Sequence, residues 1–217
     1  MGSEGYLINQ FITTGTNKRT DEWGGAYENR IRLAVEIVRE MRAACGHDFI
    51  IIFRLSMLDL VENGSSWDEI VQLANAIKDA GATIINTGIG WHEARIPTIA
   101  TQVPRAGFAW VTQKLRQEIT GIPLVATNRI NSPEVAEAVL SDGCADMVSM
   151  ARPLLADPYF VTKAVRTIVP LRCGRAPHAS WLMNCRLMGA RTSSTPASGA
   201  TKLAWTTRSR ARRHRAL

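Results

Sequence analysis

Four apolar runs recur along the first 150 residues, and each ends in polar or cationic side chains. Residues 50–57 read Ile-Ile-Ile-Phe-Arg-Leu-Ser-Met, with Arg54 where the unbroken run stops. Residues 83–90 lead into Trp91-His92-Glu93-Ala94-Arg95, residues 123–126 into Thr127-Asn128-Arg129, and residues 146–150 into Ala151-Arg152-Pro153. Short continuous apolar runs of this kind fit strands of a parallel sheet covered on both faces. Helical periodicity fills the intervals. Over 27–44, Ile31, Ala34, Val35, Val38 and Met41 share one face of an amphipathic helix. Further helices are predicted over 67–80, after the turn Asn63-Gly64-Ser65-Ser66, and over 109–119. Another begins at Ser132-Pro133, and a last one covers 154–165. Residues 1–25 and 96–108 are predicted as loops. Strands alternating with helices are the pattern of an α/β fold of the βα-barrel type, and the helix over 27–44 has no strand ahead of it.

The charge changes this picture at the carboxyl end. The whole chain of 217 residues carries +7, from 26 Lys and Arg against 19 Asp and Glu. Eleven of the basic residues and none of the acidic ones fall in 166–217, which leaves residues 1–165 with 15 basic and 19 acidic, a net −4. Two units are expected: a βα domain over 1–165 and an irregular basic tail over 166–217. The Arg-rich run 208–215 has the charge to meet nucleic-acid phosphates but no aromatic interleaving, so a nucleic-acid partner is not expected. No apolar run approaches the ~18 residues of a membrane span, and no secretory leader pattern is present, so a cytoplasmic protein without a membrane partner is expected. Cys45, Cys144, Cys173 and Cys185 lack paired spacing and are expected to be free thiols, with no metal site.

Several motifs in order resemble the Old Yellow Enzyme-like family of FMN oxidoreductases. They are Gly5-Tyr6-Leu7-Ile8-Asn9-Gln10-Phe11, Thr16-Asn17-Lys18-Arg19-Thr20-Asp21, Trp23-Gly24-Gly25 and Glu28-Asn29-Arg30. Arg54-Leu55-Ser56, the run from Gly90 to Pro97 and Ser149-Met150-Ala151-Arg152-Pro153 are most similar to the family's NADPH-dependent 2,4-dienoyl-CoA reductase branch. The resemblance covers 1 to about 164. It implies a partial TIM (βα)8 barrel made of strands five to eight with their helices, open edges through which copies could associate, and FMN and NADPH as cofactors. It also implies an unsaturated acyl-CoA as substrate; a simpler ene-reductase or an inactive remnant are the alternatives. That branch further carries a 4Fe-4S cluster and FAD, whose sites the sequence does not contain. Codons for residues 192–207 can be chosen so that the adjacent frame reads DVINTCIGCNKACLDH. That string resembles the family's iron–sulfur segment, with thiolates in C-x2-C-x3-C spacing. The chain is therefore expected to be out of frame by about Gly189.

The candidate chemistry lies at the ends of the strands. In βα barrels a phosphate commonly sits between the loops after the last two strands. Here those loops hold Asn128-Arg129 and Ala151-Arg152, which the resemblance assigns to the FMN phosphate. Arg54, charged at any relevant pH, needs an anion at the end of a buried strand. Either a carboxylate of the same domain or a reduced flavin could supply it, and the resemblance favours the flavin. Tyr6 and His92 are the candidate proton donors by the same resemblance, since an enolate developing during reduction needs a nearby acid. Glu93, Ala94, Arg95 and Ile96 are expected to line the acyl-CoA side. Arg19 is a further substrate-side candidate that could equally pin its own loop. Trp23, Trp67 and Trp110 are expected to be packing residues.

Overall fold

The computed structural model describes residues 1–168. Four strands, β1 (Ile52–Leu58), β2 (Ile84–Ile89), β3 (Leu124–Ala126) and β4 (Met147–Val148), form one sheet in sequential order, every neighbouring pair parallel. Ahead of them stand α1 (Leu7–Ile12) and α2 (Tyr27–Cys45); α3 (Trp67–Asp79), α4 (Ala109–Glu118) and α5 (Pro133–Ser141) occupy the crossovers. After the sheet come α6 (Arg152–Ala156) and α7 (Phe160–Ile168), which runs past the expected boundary at 165. The register places Arg54 beside Asn86, Asn86 beside Val125, and Val125 beside Met147.

One face of the sheet carries the core. Phe53, Leu55 and Met57 of β1 join Ile31, Ala34, Val35 and Val38 of α2 and Ile70, Leu73 and Ile77 of α3 in a single apolar cluster. The opposite face departs from the two-sided burial that the apolar runs imply: Ile52 is 55% exposed, and Ile50 and Phe49 just before it are also open. The opening is confined to the start of the strand: on the same face Arg54 is half-buried beneath Glu4 and Ser56 is buried against Asp59.

Three local expectations change. Residues 1–25 contain α1, whose six residues are too few to show a helical period. The run at 146–150 contributes only two residues to the sheet. The helix predicted over 154–165 is two helices, parted where Asp157 precedes Pro158; Asp157 is extended, with φ −142° and ψ 99°, as a residue before proline prefers. Of the tryptophans, Trp67 packs against the core with Lys114 Nζ 4.0 Å over its ring, whereas Trp110 is mostly exposed. Cys45 and Cys144 are free thiols; Cys173, Cys185, the Arg-rich run and residues 192–207 lie outside the described residues.

Helix starts follow the sequence closely. Ser66 accepts from the Glu69 N–H while the Glu69 carboxylate accepts from the Ser66 N–H at 3.0 Å, a complete capping box on α3. Ser66→Ala should lower stability by about 1 kcal/mol, read as a drop in the urea midpoint without a change in slope. Ser132 caps α5 through a single bond, its hydroxyl accepting from the Val135 N–H, with Pro133 in the first turn. Arg30 ties three elements together: it is buried in α2, hydrogen-bonds the Ile12 carbonyl at the end of α1, and pairs with Glu69 of α3.

Candidate active site

The carboxyl ends of the strands frame a cleft of about 600 Å³, within the range of small-molecule sites. Arg54 from β1, Asn128 and Arg129 from the loop after β3, and Ala151 and Arg152 from the turn after β4 all line it. Three guanidinium groups from separate segments thus share one opening. Its wall contains one carboxylate, Asp157, whose hydrogen bond from Lys163 holds it below the usual carboxylate range.

Each cation is held differently. Arg54 donates from Nε and Nη2 to the Glu4 carboxylate, the latter at 2.6 Å, and from Nη1 to Asn86 Oδ1 at 2.8 Å. A carboxylate of the same domain is therefore its partner, the alternative the sequence left open. These contacts use three of the five guanidinium N–H groups and leave two for a ligand. Arg129 Nε donates to the Val103 carbonyl at 2.9 Å, and Asn128 Nδ2 to Thr98 Oγ1 at 2.9 Å, so the loop after β3 is pinned to the one after β2. Asn128 and Arg129 are consecutive residues with positive φ, 67° and 59°, a costly conformation for non-glycine residues that recurs at ligand sites. Arg152 is exposed and makes no ion pair with the described residues.

Tyr6 and His92 meet beside this cleft rather than in its wall. Tyr6 Oη lies 3.0 Å from His92 Nε2, and the rings are edge-on with centroids 5.3 Å apart. Both are exposed. Glu93, Arg95 and Ile96 continue from His92 on the surface, while the Ala94 methyl is buried. Arg19 lies apart, in a shallow hollow with Gln10 and Asn17, and bridges to Asp21, so its loop-pinning role is the one visible here.

Two participants escape the sequence reading. Glu4 lies in a loop without periodicity, and only its place two residues before Tyr6 hints at a role. Asn86 interrupts an apolar strand in register with Arg54, a signal that a strand-by-strand alignment of polar positions would have found.

A parallel sheet with a cationic cleft at its strand ends is the layout of βα-barrel enzymes. The profile of the NADH:flavin oxidoreductase / NADH oxidase family matches residues 1–169, and the chain belongs to that family. A metal reductase of Desulforamulus reducens is 39% identical over 165 residues, covering 76% of this chain and 25% of the relative. An NADPH dehydrogenase of Halalkalibacterium halodurans is 36% identical, covering 75% of this chain and 46% of that protein. The fold superposes on a 2-naphthoyl-CoA reductase in complex with 2-naphthoyl-CoA with a TM-score of 0.74 at 32% identity, over 76% of this chain and 25% of that one. The chain therefore spans a quarter to a half of the length of these relatives.

Proposed function

We propose that this chain carries the carboxyl-terminal half of an FMN-binding βα barrel, strands five to eight, from an enzyme that uses NADPH to reduce an α,β-unsaturated acyl thioester of the 2,4-dienoyl-CoA kind. The observation that carries this reading is the hydrogen-bonded Tyr6–His92 pair next to a three-arginine cleft. Similarity to a protein seen with a CoA thioester supports the substrate class.

The cleft suits FMN on its own chemistry. Arg129 and Arg152 match a phosphate group. Asn131 Oδ1, buried in the wall without a donor among the described residues, is an acceptor that a ligand hydroxyl would satisfy. When bound, FMN supplies two-electron hydride chemistry. Arg54 would set its free N–H groups toward the flavin's electron-rich edge, with Glu4 and Asn86 fixing the guanidinium plane. As negative charge develops on the thioester enolate, the Tyr6 phenol delivers a proton, and His92 holds that phenol in place through Nε2. Glu93, Arg95 and Ile96 form the acyl-CoA side.

The half-barrel reading also governs how the isolated chain behaves. With the inner face open at the start of β1, FMN is held weakly, NADPH turnover is absent, and the edge of β4 with the unoccupied part of β1 favours self-association. Titrating the purified chain with FMN and following flavin fluorescence tests both parts. Saturable weak binding that drops about tenfold in Arg152→Ala is expected, since a charge-assisted contact is lost. Stoichiometric FMN retained through gel filtration would reject the half barrel, and identical titrations of the two proteins would reject the cleft. A simpler ene-reductase acting on enals or enones is the second reading, favoured by similarity to the shorter NADPH dehydrogenase. A cytoplasmic location goes with either.

A further inference from the structure

Below the Tyr6–His92 pair lies a carboxylate that nothing above uses. Asp59 follows β1 and is 4% exposed. Its Oδ1 accepts from Ser56 Oγ at 2.6 Å, from the Trp91 indole Nε1 at 2.8 Å and from Asn9 Nδ2 at 3.4 Å. Its Oδ2 accepts from the Ser65 backbone N–H at 2.7 Å, and its carbonyl accepts from the Trp91 N–H at 2.9 Å. No Lys, Arg or His of the described residues pairs with it. A buried carboxylate without a cation is costly unless donors converge on it, and here they converge from the end of β1, the loop after it, the loop after β2, and α1.

Two of those donors lead directly to the acid pair. Trp91 precedes His92 in the chain, and both its backbone N–H and its indole N–H are fixed by Asp59. Asn9 uses its other side-chain atom, Oδ1, to accept from the Gly5 N–H at 3.0 Å, and Gly5 precedes Tyr6. The two routes then touch: Gly5, with φ 82°, lies so close to the Trp91 ring that a Cβ there would stand 2.9 Å from Cε3. A bond rotation at Gly5 would move Tyr6, and a tilt of the Trp91 ring would move His92. One carboxylate restrains both.

We propose that Asp59 is a positioning residue that sets the Tyr6–His92 geometry by holding Trp91 directly and Gly5 through Asn9. The proposal rests on the reading of Tyr6 and His92 as the proton-delivering pair, but its geometric content does not depend on flavin or turnover. The other donors, Ser56 and Ser65, hold the loop after β1 and account for the ordinary structural share of the same group. Gly64 packs against that share, its built Cβ falling 2.8 Å from Asp59 Cβ.

The test uses the full chain and two spectroscopic and chemical readouts. Trp91→Phe removes the indole N–H together with three ring atoms while keeping an aromatic ring beside Gly5; Asp59→Asn keeps the side-chain shape but replaces the carboxylate by an amide. Heteronuclear NMR reads the ring-to-ring cross-peak between Tyr6 and His92, and diethyl pyrocarbonate labelling with peptide mass analysis reads the reactivity of His92 against His47 in the same sample. In Trp91→Phe the cross-peak should weaken or vanish. Labelling of His92 should quicken about two- to tenfold, the range spanned by one net hydrogen bond. The His47 rate and the far-UV spectrum should stay unchanged. Asp59→Asn should do the same or more. Should Asp59→Asn not fold, Trp91→Phe decides alone. An unaltered cross-peak and labelling rate in a folded Trp91→Phe would overturn the positioning role while leaving the flavin reading intact. The expected loss of geometry in a chain that binds no FMN would keep the positioning role and reject the catalytic one.

Discussion

Arg30→Met should lower the unfolding free energy by about 3 kcal/mol, near the bottom of the range for stripping one partner from a buried ion pair. Arg30 is 6% exposed, whereas the Glu69 side chain keeps 25% of its surface in water, which moderates the cost of leaving it unpaired. The guanidinium also hydrogen-bonds the Ile12 carbonyl, reaches the Gly25 carbonyl at 3.3 Å, and stacks 4.8 Å from the Tyr27 ring centroid. Methionine recovers the packing of the stem but none of those contacts. Because the carbonyl at the end of α1 loses its donor, the helix carrying Asn9 should loosen along with global stability. Urea unfolding of Arg30→Met, Glu69→Gln and the double variant measures the coupling directly. Strictly additive effects would show that the pair is not coupled and would sink the assignment.

Ile85→Ala should cost about 2–5 kcal/mol, while Ile52→Ala should cost less than about 0.5 kcal/mol. Ile85 is 0% exposed and is paired in register with Phe53 and Leu124, so deleting its branch leaves a void between three strands. Ile52, one position from Phe53 on the other face, is 55% exposed and loses little. The contrast measures how open the second face of the sheet is. A cost for Ile52→Ala approaching that of Ile85→Ala would mean that the face is covered in solution by another polypeptide or a second copy. Repeating both measurements over a range of protein concentrations separates those two causes, because only the second copy makes the midpoint depend on the concentration of this chain alone.

Much of the architecture is legible in the sequence because its carriers are long and periodic. The apolar runs at 50–57 and 83–90 and the helix over 27–44 repeat their signals several times, and each emerges with small changes at its ends. Short elements lack that redundancy. Six residues of α1 and two of β4 depend on tertiary contacts: α1 on Arg30 and on Asp59, which its Asn9 reaches, β4 on its ladder to Val125 and Ala126. The rim arginines are readable because a charge that ends an apolar run stands out. Their partners are not. Glu4 reaches Arg54 from a position fifty residues away, and Asp59 gathers donors from four segments whose proximity no local pattern encodes. Sequence supplied the charges that line the cleft, whereas the groups that orient them became visible only in three dimensions.

The parallel bridge between Gly2 and Leu55 has one last consequence. Gly2 donates to the Arg54 carbonyl at 2.9 Å and accepts from the Ser56 N–H at 3.3 Å, so the outer border of β1 is already occupied at its middle. A Cβ at position 2 would fall 2.5 Å from the Phe53 ring, so a larger residue in that seat would have to displace the ring. The segment at Gly2 therefore acts as a plug in the middle of that edge: a foreign strand cannot zip along the whole of β1 without evicting the segment that carries Glu4 to Arg54.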